Sequence, residues 1–177
     1  MDRSVRNCLI AFGSNEFSVH GDARASVEWA VKEVERFVKA TSNCSRFYAT
    51  PAFPAGAGPD YVNAVVAINT QMTPNALLAG LHQIEAAAGR ERQVRWGQRT
   101  LDIDLIAHGD TVGPNLARYT HWRNLPLEEQ TKSAPDELIL PHPRMQDRAF
   151  VLVPLCDVAP DWVHPVLGQT ARALCDA

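Results

Sequence analysis

The segment at residues 100–107, TLDIDLIA, alternates apolar and acidic side chains, and it constrains the fold more than any other stretch. In an extended strand the apolar side chains fall on one side: Leu101, Ile103 and Leu105. Asp102 and Asp104 fall on the opposite side. Side chains two apart on a strand lie about 6 to 7 Å from each other, so both carboxylates could reach a common pair of hard cations such as Mg²⁺. The pattern predicts a strand with one buried face and an acidic pair on the other.

Four arginines lie just upstream of this strand: Arg90, Arg92, Arg95 and Arg99. Of the 17 basic residues in the chain, 14 are arginine and three are lysine, so the local concentration is of one residue type. The planar guanidinium group binds phosphate through two parallel hydrogen bonds. Arginines beside an acidic pair therefore predict a site for a metal-bound polyphosphate. The alternative is a solvated strand face next to arginines that only aid solubility.

The composition limits the class of protein. With 177 residues, of which 46% are hydrophobic and 21% charged, residues 1–177 are expected to form a single domain. A net charge of -3 and a pI near 6.0 argue against a nucleic-acid partner. The four cysteines have neither disulfide-framework nor zinc-site spacing, and the chain lacks a run of 18 apolar residues. We therefore expect a cytoplasmic protein with no membrane partner, and we favour a monomer.

The predicted elements follow the order βαββαβ. The strands are predicted at residues 8–12, 44–50, 61–70 and 100–107, and the helices at 22–40 and 73–88. This order is typical of an α+β, ferredoxin-like antiparallel sheet with two helices packed on one face. C-terminal additions are predicted as a strand at 137–141, a helix at 148–158 that is kinked near Pro154, and a short helix at 169–175. Residues 109–136 are predicted to be mostly irregular.

Several polar and aromatic side chains are further candidates for binding. His142 and Arg148 could extend the phosphate-binding set, although His142 between two prolines is also a common loop residue. Tyr61 and Asn63 stand side by side on one strand face, where they could bind a flat heterocycle by stacking and by amide pairing. Phe150 could supply a second stacking face if the fold brings it opposite Tyr61. A glycine-rich phosphate loop is not found in the sequence.

Segments along most of the chain resemble one family, that of 6-hydroxymethyl-7,8-dihydropterin pyrophosphokinases. The longest is RWGQRTLDIDLI at residues 95–106, in which Gln98 stands where the family usually has proline. The others are IAFGSN at 10–15, FYATP at 47–51, PDYVN at 59–63, GRER at 89–92, LPHPRM at 140–145, RAFVL at 148–152 and VAP at 158–160. The resemblance implies transfer of pyrophosphate from MgATP to the hydroxymethyl group of the pterin, which yields AMP and serves folate biosynthesis.

The resemblance also implies a role for each matching residue. It makes Asp102 and Asp104 the ligands of two Mg²⁺ ions, and it places Trp96 in a loop that closes over the site. It implies a set of phosphate contacts: Arg90, Arg92, Arg99, His142 and Arg148. It implies main-chain contacts to adenine near Leu105 and Ile139. It implies a pterin pocket: Thr50, Pro51, Phe53, Tyr61, Asn63, Trp96 and Phe150.

Two other interpretations stay open from the residues alone. A two-metal nucleotidyl transferase or cyclase on a ferredoxin-like sheet would also need paired aspartates and arginines, but it would leave Tyr61, Asn63 and Phe150 without a role. A noncatalytic RNA-binding module could use the open sheet face, but such modules need a basic surface, and the pI near 6.0 disfavours this.

Overall fold

A computed structural model describes residues 4–52, 58–89 and 100–177, and within these ranges it shows one antiparallel sheet. Its strands are β1 (Arg6–Ser14), β2 (Ser42–Cys44), β3 (Tyr48–Thr50), β4 (Tyr61–Thr70) and β5 (Asp102–His108). The strand order is β2-β4-β1-β5, and β3 pairs with β4 further along the same edge. With β2 and β3 counted as one interrupted edge strand, this is the predicted ferredoxin-like βαββαβ arrangement.

The edge strand is interrupted at Ser45, whose side-chain oxygen, instead of its main-chain carbonyl, accepts the hydrogen bond from β4. The strand predicted at residues 44–50 is therefore two short strands, β2 and β3. The Ser45 N–H donates to the Val65 carbonyl at 2.9 Å, and its Oγ accepts from the Val65 N–H at 2.9 Å. Both hydrogen bonds go to a single residue of β4, so the regular pairing stops there.

Two helices, α1 (Ala23–Val38) and α2 (Pro74–Ala87), cover one face of the sheet, as predicted. Each begins at a side-chain cap: Asp22 accepts from the Ala25 N–H and Thr73 accepts from the Ala76 N–H. The helices bury apolar residues at helical spacing against the sheet: Val27, Ala30, Val31, Val34, Leu77, Leu81 and Ile84. Leu101, Ile103 and Leu105 lie in this same core, which confirms the predicted apolar face of the fourth predicted strand.

The opposite face of the sheet is covered in part by α5 (Ala149–Val158) and α6 (Ala171–Asp176). The sheet contributes Leu9, Ala11, Val65 and Ile106 to this second core, and the helices contribute Val151, Leu152, Leu155, Ala171 and Leu174. The helix predicted at 148–158 is confirmed as α5, which runs from Ala149 to Val158 with Pro154 inside it. The kink near Pro154 stays a prediction. On β1 and β4 this core stops at Ala11 and Val65, so the end of the face beyond them is left for polar residues.

The prediction that residues 109–136 are mostly irregular is wrong. They contain α3 (Leu116–Arg123) and α4 (Leu127–Lys132). Asn115 caps α3 by accepting from the Arg118 N–H at 3.0 Å, and Tyr119 and Trp122, three residues apart, are buried on one side of the helix. In a short helix this pattern spans too few turns to be separated from a loop. With α3 and α4 included, no helix in residues 4–52, 58–89 and 100–177 has the length and apolar character of a bilayer span.

The strand predicted at residues 137–141 is also wrong. Leu140 alone pairs, in an isolated bridge with Gly113, and its N–H and carbonyl each form one hydrogen bond to Gly113. Pro141 has no N–H to continue the ladder. The apolar run that suggested a strand instead places Ile139 against Tyr119 and Trp122. The short helix predicted at 169–175 is confirmed as α6.

The buried imidazole of His164 links α3 to the segment between α5 and α6. Its Nδ1 accepts from the N–H groups of Val166 and Leu167 at 3.2 Å, and its Nε2 lies 3.1 Å from the Tyr119 hydroxyl. Because Nδ1 accepts twice, the proton of the neutral ring sits on Nε2. Burial first, and the charge of Arg123 second, lower the pKa of His164 to about 4. The folded protein therefore keeps this ring neutral.

We predict that His164 makes the fold acid-sensitive. The unfolded chain binds a proton at this ring below about pH 6.5, whereas the folded chain does so only near pH 4. The contribution of His164 to stability is thus complete above the unfolded pKa and is lost as the pH falls through this window, by at most about 1.4 kcal/mol per pH unit. His164→Asn, which keeps an acceptor for both N–H groups, should flatten the dependence of urea-unfolding free energy on pH. The other histidines are present in both proteins, so equal slopes would contradict the prediction.

Candidate active site

The register of the three central strands brings Asn63 and Asp102 to the same end of one sheet face. Gly13 of β1 pairs with Asn63 of β4 on one side and with Asp102 of β5 on the other. Directly opposed residues on neighbouring strands point to the same side of a sheet. Two strand spacings of about 4.8 Å therefore separate an amide from a carboxylate, with a glycine between them. Ala11, two residues before Gly13 and on the same face of β1, pairs with Asp104, so the predicted acidic pair shares this face.

Gly13 keeps the space between the amide and the carboxylate open. A Cβ atom at this position would lie 3.2 Å from Oδ1 of Asn63, closer than ordinary van der Waals contact. Gly13 directly follows the first predicted strand and was not among the predicted site residues. A glycine at the end of an apolar strand run is the signal that could have found it, because such glycines mark close approach of a ligand or another backbone.

Asn63, which is 5% exposed, is held by the neighbouring edge strand. Its Nδ2 donates to Oγ1 of Thr50 at 2.7 Å, and Thr50 pairs with Tyr61 across β3 and β4. Thr50, Tyr61 and Asn63 are thereby brought together, as the predicted pocket requires. Pro51 directly follows β3.

The end of β1 also ties the two chain segments that flank the site. Ser14, which is buried, donates from Oγ to the Thr100 carbonyl at 2.6 Å. Asn15, also buried, donates from Nδ2 to the Pro59 carbonyl at 3.2 Å. These contacts hold the residues that lead into β5 and β4 next to the end of β1, at the same end of the sheet.

A buried carboxylate fixes β5 between the two aspartates. Glu85 of α2 is 3% exposed, and its Oε1 accepts from the Ile103 N–H at 2.7 Å. Because Ile103 lies between Asp102 and Asp104, this bond sets the strand from which both carboxylates project. Glu85 was not among the predicted site residues, although a charged residue four positions after Leu81, on the apolar side of a helix, is a recognisable signal.

Arg148 and Phe150 reach the site from the covering helix layer. Nη1 of Arg148 lies 3.8 Å from Oδ2 of Asp104, which is an ion pair but too long for a hydrogen bond. The Arg148 guanidinium also lies 5.6 Å from the centre of the Phe150 ring. Phe150 is 44% exposed, so part of its ring is accessible from solvent. The fold thus places a cation beside the acidic pair and an exposed ring next to that cation.

His142 enters the same region as a neutral hydrogen-bonding group. Its main-chain N–H donates to the Ile106 carbonyl at 2.8 Å, and its Nδ1 accepts from the Arg144 N–H at 3.2 Å. Burial, and then the charges of Arg148 and Arg144, lower the pKa of His142 to about 3. The ring is therefore neutral at pH 7 and carries its proton on Nε2, where it can donate.

The two residues predicted near adenine have buried side chains. Leu105 lies in the core under α1 and α2, and Ile139 lies against Tyr119 and Trp122. Only their main-chain groups could meet a ligand, and that role stays a prediction. Five predicted site residues lie outside the described residues: Phe53, Arg90, Arg92, Trp96 and Arg99. Arg95, the other member of the arginine cluster, lies outside them as well.

Residues 9–160 match the family model for 7,8-dihydro-6-hydroxymethylpterin-pyrophosphokinase, abbreviated HPPK. The chain belongs to this family. An HPPK-family relative from Synechocystis, named 2-amino-4-hydroxy-6-hydroxymethyldihydropteridine pyrophosphokinase, is 43% identical over 144 residues, which are 81% of this chain and 60% of that protein. A relative of the same name from Haemophilus influenzae is 34% identical over 156 residues, covering 88% of this chain and 83% of that protein. This chain thus spans less than two thirds of the Synechocystis protein.

A solved structure supports the HPPK-type fold. The crystal structure of wild-type Plasmodium falciparum HPPK-DHPS aligns with a TM-score of 0.64 and covers 98% of this chain and 44% of that one. The two are 15% identical in sequence, so the likeness concerns the fold alone. It agrees with the ferredoxin-like strand order found here.

We predict that the contact between Thr50 and Asn63 is a measurable part of the stability of this HPPK-family fold. Thr50→Val keeps the shape of the side chain but leaves the buried Nδ2 of Asn63 without its acceptor. An unsatisfied buried donor costs about 1 to 3 kcal/mol, so the unfolding free energy in urea should fall by that amount. Thr50→Ser retains the hydroxyl and should recover most of the loss. A Thr50→Val protein that is as stable as the wild type, or that loses no more stability than Thr50→Ser, would contradict the prediction.

Proposed function

We propose that this protein transfers pyrophosphate from MgATP to the hydroxymethyl group of 6-hydroxymethyl-7,8-dihydropterin, a step of folate biosynthesis. In this reaction the hydroxyl oxygen attacks the β-phosphorus of ATP and loses its proton. The bond from the β-phosphorus to the oxygen of the α-phosphate breaks, and AMP leaves. The observation that carries the proposal is the row Asn63–Gly13–Asp102, which joins a polar slot to an acidic pair on one sheet face. Relatives at 34% to 43% identity carry the name of this activity.

The slot beside Gly13 fits a flat heterocycle. Nδ2 of Asn63 donates to Thr50, and Oδ1 lies on the side of Gly13, so Oδ1 is the amide atom that we propose accepts from ring N–H groups. The half-buried Tyr61 and the exposed Phe150 supply aromatic faces for stacking. Pro51, Phe53 and Trp96 complete the pocket in this proposal.

The acidic pair fits Mg²⁺. This ion usually binds one or two protein carboxylates and takes its other ligands from water and substrate phosphates. Asp102 and Asp104 match that donor set, and the described residues contain no group of three or more His, Cys, Asp or Glu side chains that could form a closed metal cage. Two ions held by this pair are part of the proposal. When bound, Mg²⁺ neutralises charge on the phosphate oxygens and so favours attack at phosphorus.

The remaining groups of the site hold and neutralise the polyphosphate. Arg148, beside Asp104, stabilises charge on the phosphate oxygens, and neutral His142 donates from Nε2. Arg90, Arg92 and Arg99 add further positive charge in this proposal. The positioned Asn63 orients the pterin, so the enzyme acts by placement and electrostatic stabilisation. Action as a single domain and monomer in the cytoplasm is part of the same proposal.

A direct assay separates this activity from that of a nucleotidyl transferase or cyclase. The protein is incubated with ATP and Mg²⁺, with and without 6-hydroxymethyl-7,8-dihydropterin, and the nucleotide products are separated by chromatography. AMP that forms only with the pterin supports the proposal. Pyrophosphate released without the pterin would instead indicate the two-metal alternative.

We predict that Asp102→Asn and Asp104→Asn each lower turnover by orders of magnitude while leaving the fold intact. Each change keeps the size of the side chain but removes a negative charge from a metal ligand. Metal stabilisation of several kcal/mol corresponds to at least about a hundredfold in rate, since about 1.4 kcal/mol is tenfold. The measurement is turnover at saturating MgATP and pterin, with circular dichroism to confirm folding. Asp110→Asn, at an exposed carboxylate that pairs with Arg6, is the control and should leave turnover unchanged. Normal turnover in both site variants would exclude the metal role.

We also predict that Tyr61→Ala and Phe150→Ala each weaken pterin binding by about 1 to 3 kcal/mol, the range measured for stacking of a base on an aromatic ring. Affinity for an ATP analogue should stay the same, because neither ring belongs to the phosphate site. Titration calorimetry with each ligand measures both quantities. Phe37→Ala, on the outer side of the helix layer against Gly80, is the matched control. If both site variants bind pterin as tightly as the wild type, the stacking role is wrong.

A further inference from the structure

The carboxylate of Asp157, near the end of α5, accepts four hydrogen bonds from Arg46 and from Tyr48, the first residue of β3. Arg46 donates from its main-chain N–H at 3.1 Å, from Nε at 3.1 Å and from Nη2 at 2.8 Å, and Tyr48 donates from its hydroxyl at 2.8 Å. The Arg46 guanidinium also lies 5.4 Å from the centre of the Tyr48 ring. The hydrogen bond from Arg46, and then that from Tyr48, lower the pKa of Asp157 to about 2, so the carboxylate is charged at neutral pH. We call these three residues the Asp157 clamp.

One side of the clamp is fixed and the other is not. Asp157 belongs to a helix whose Val151, Leu152 and Leu155 are buried in the second core. Strand β3, in contrast, is three residues long, and in the described part of the chain it pairs only with β4. Three residue pairs at a sheet edge are a weak attachment. The clamp therefore supplies β3 with an anchor to the rigid helix layer.

The anchored strand carries one wall of the proposed pterin slot. Tyr48 pairs directly with Asn63, and Thr50, two residues further on the same face, accepts the Asn63 hydrogen bond. A shift of β3 away from β4 would move Thr50 and Pro51 and would release the Asn63 amide. The proposed phosphate site does not depend on β3, because its described residues lie outside that strand. They are Asp102, Asp104, His142 and Arg148.

We propose that Asp157 is a positioning residue for pterin binding, which acts through Arg46 and Tyr48 to hold β3 against Asn63. The role rests on the proposed function, because the slot it shapes is the proposed pterin slot. Asp157 makes no contact with substrate in this assignment. Arg46 is largely exposed, so the clamp contributes little to global stability and acts chiefly on local geometry.

The test compares two affinities in clamp variants. In Asp157→Ala the dissociation constant for 6-hydroxymethyl-7,8-dihydropterin should rise about tenfold, since hydrogen bonds to a charged group that hold the wall are lost, while that for a non-hydrolysable ATP analogue stays within about twofold. Tyr48→Phe keeps the ring and the Arg46 ion pair and should give a smaller loss. The double variant should bind pterin no more weakly than Asp157→Ala, because both changes remove the same contact. Asp110→Ala, which breaks an exposed pair with Arg6, is the control and should change neither affinity.

The outcomes separate this role from a general loss of structure and from failure of the proposed function. All measurements are made where circular dichroism shows each variant folded, and Tyr48→Phe provides the test if Asp157→Ala does not fold. Equal weakening of pterin and ATP-analogue binding would mean that the clamp is merely structural and would overturn the inference. So would unchanged pterin affinity in both single variants, with the wild type binding pterin normally. A wild type that does not bind pterin would overturn the proposed function itself.

Discussion

The pairing of β1 with both of its neighbours is the constraint on which the site depends. Nine consecutive pairs, from Arg6 with Thr70 to Ser14 with Val62, fix β1 against β4, and a second set fixes it against β5. Successive side chains of a strand alternate between faces, so a slip of one residue would turn Asn63 or Asp102 toward the opposite core. The buried apolar positions on both faces of β1 and β4 oppose such a slip. The hydrophobic cores therefore set the geometry of the polar site.

The site occupies the part of the sheet face that the second helix layer does not cover. The apolar contacts of α5 and α6 stop at Ala11 and Val65, and the next row of the sheet carries polar groups around Gly13. Two carboxylates on one strand repel each other, and each needs a partner in a partly buried setting. Arg148 meets Asp104, while buried Glu85 takes the Ile103 N–H and so holds the strand without entering the face itself. Helix α5, which packs on the second core, thus also brings Phe150 and the directly preceding Arg148 to the site.

Local sequence patterns predicted the parts of this structure that are local. Alternation along residues 61–70 fixed both the strand and its two faces, because strand periodicity is a property of neighbouring residues. The short helix α3 could not be predicted in this way, since two buried aromatics do not establish a period. Contacts between segments that are distant in the sequence could not be predicted from local patterns either. Asp157 accepts a hydrogen bond from Tyr48, which lies 109 positions away in the chain. The place of Gly13 between Asn63 and Asp102 follows only from the register of β1 with β4 and β5.

The protonation state of His142 bears on how the proposed phosphate site obtains its positive charge. Burial and the charges of Arg148 and Arg144 keep the pKa of His142 near 3, so the ring does not gain a charge in the physiological range. The described positive charge beside the carboxylates therefore comes from guanidinium groups, which stay protonated at every physiological pH. A protonated histidine there would add charge that varies with pH and would compete with cations for the two aspartates. A neutral Nε2–H can instead donate one directed hydrogen bond without disturbing the balance between arginines, carboxylates and a bound polyphosphate.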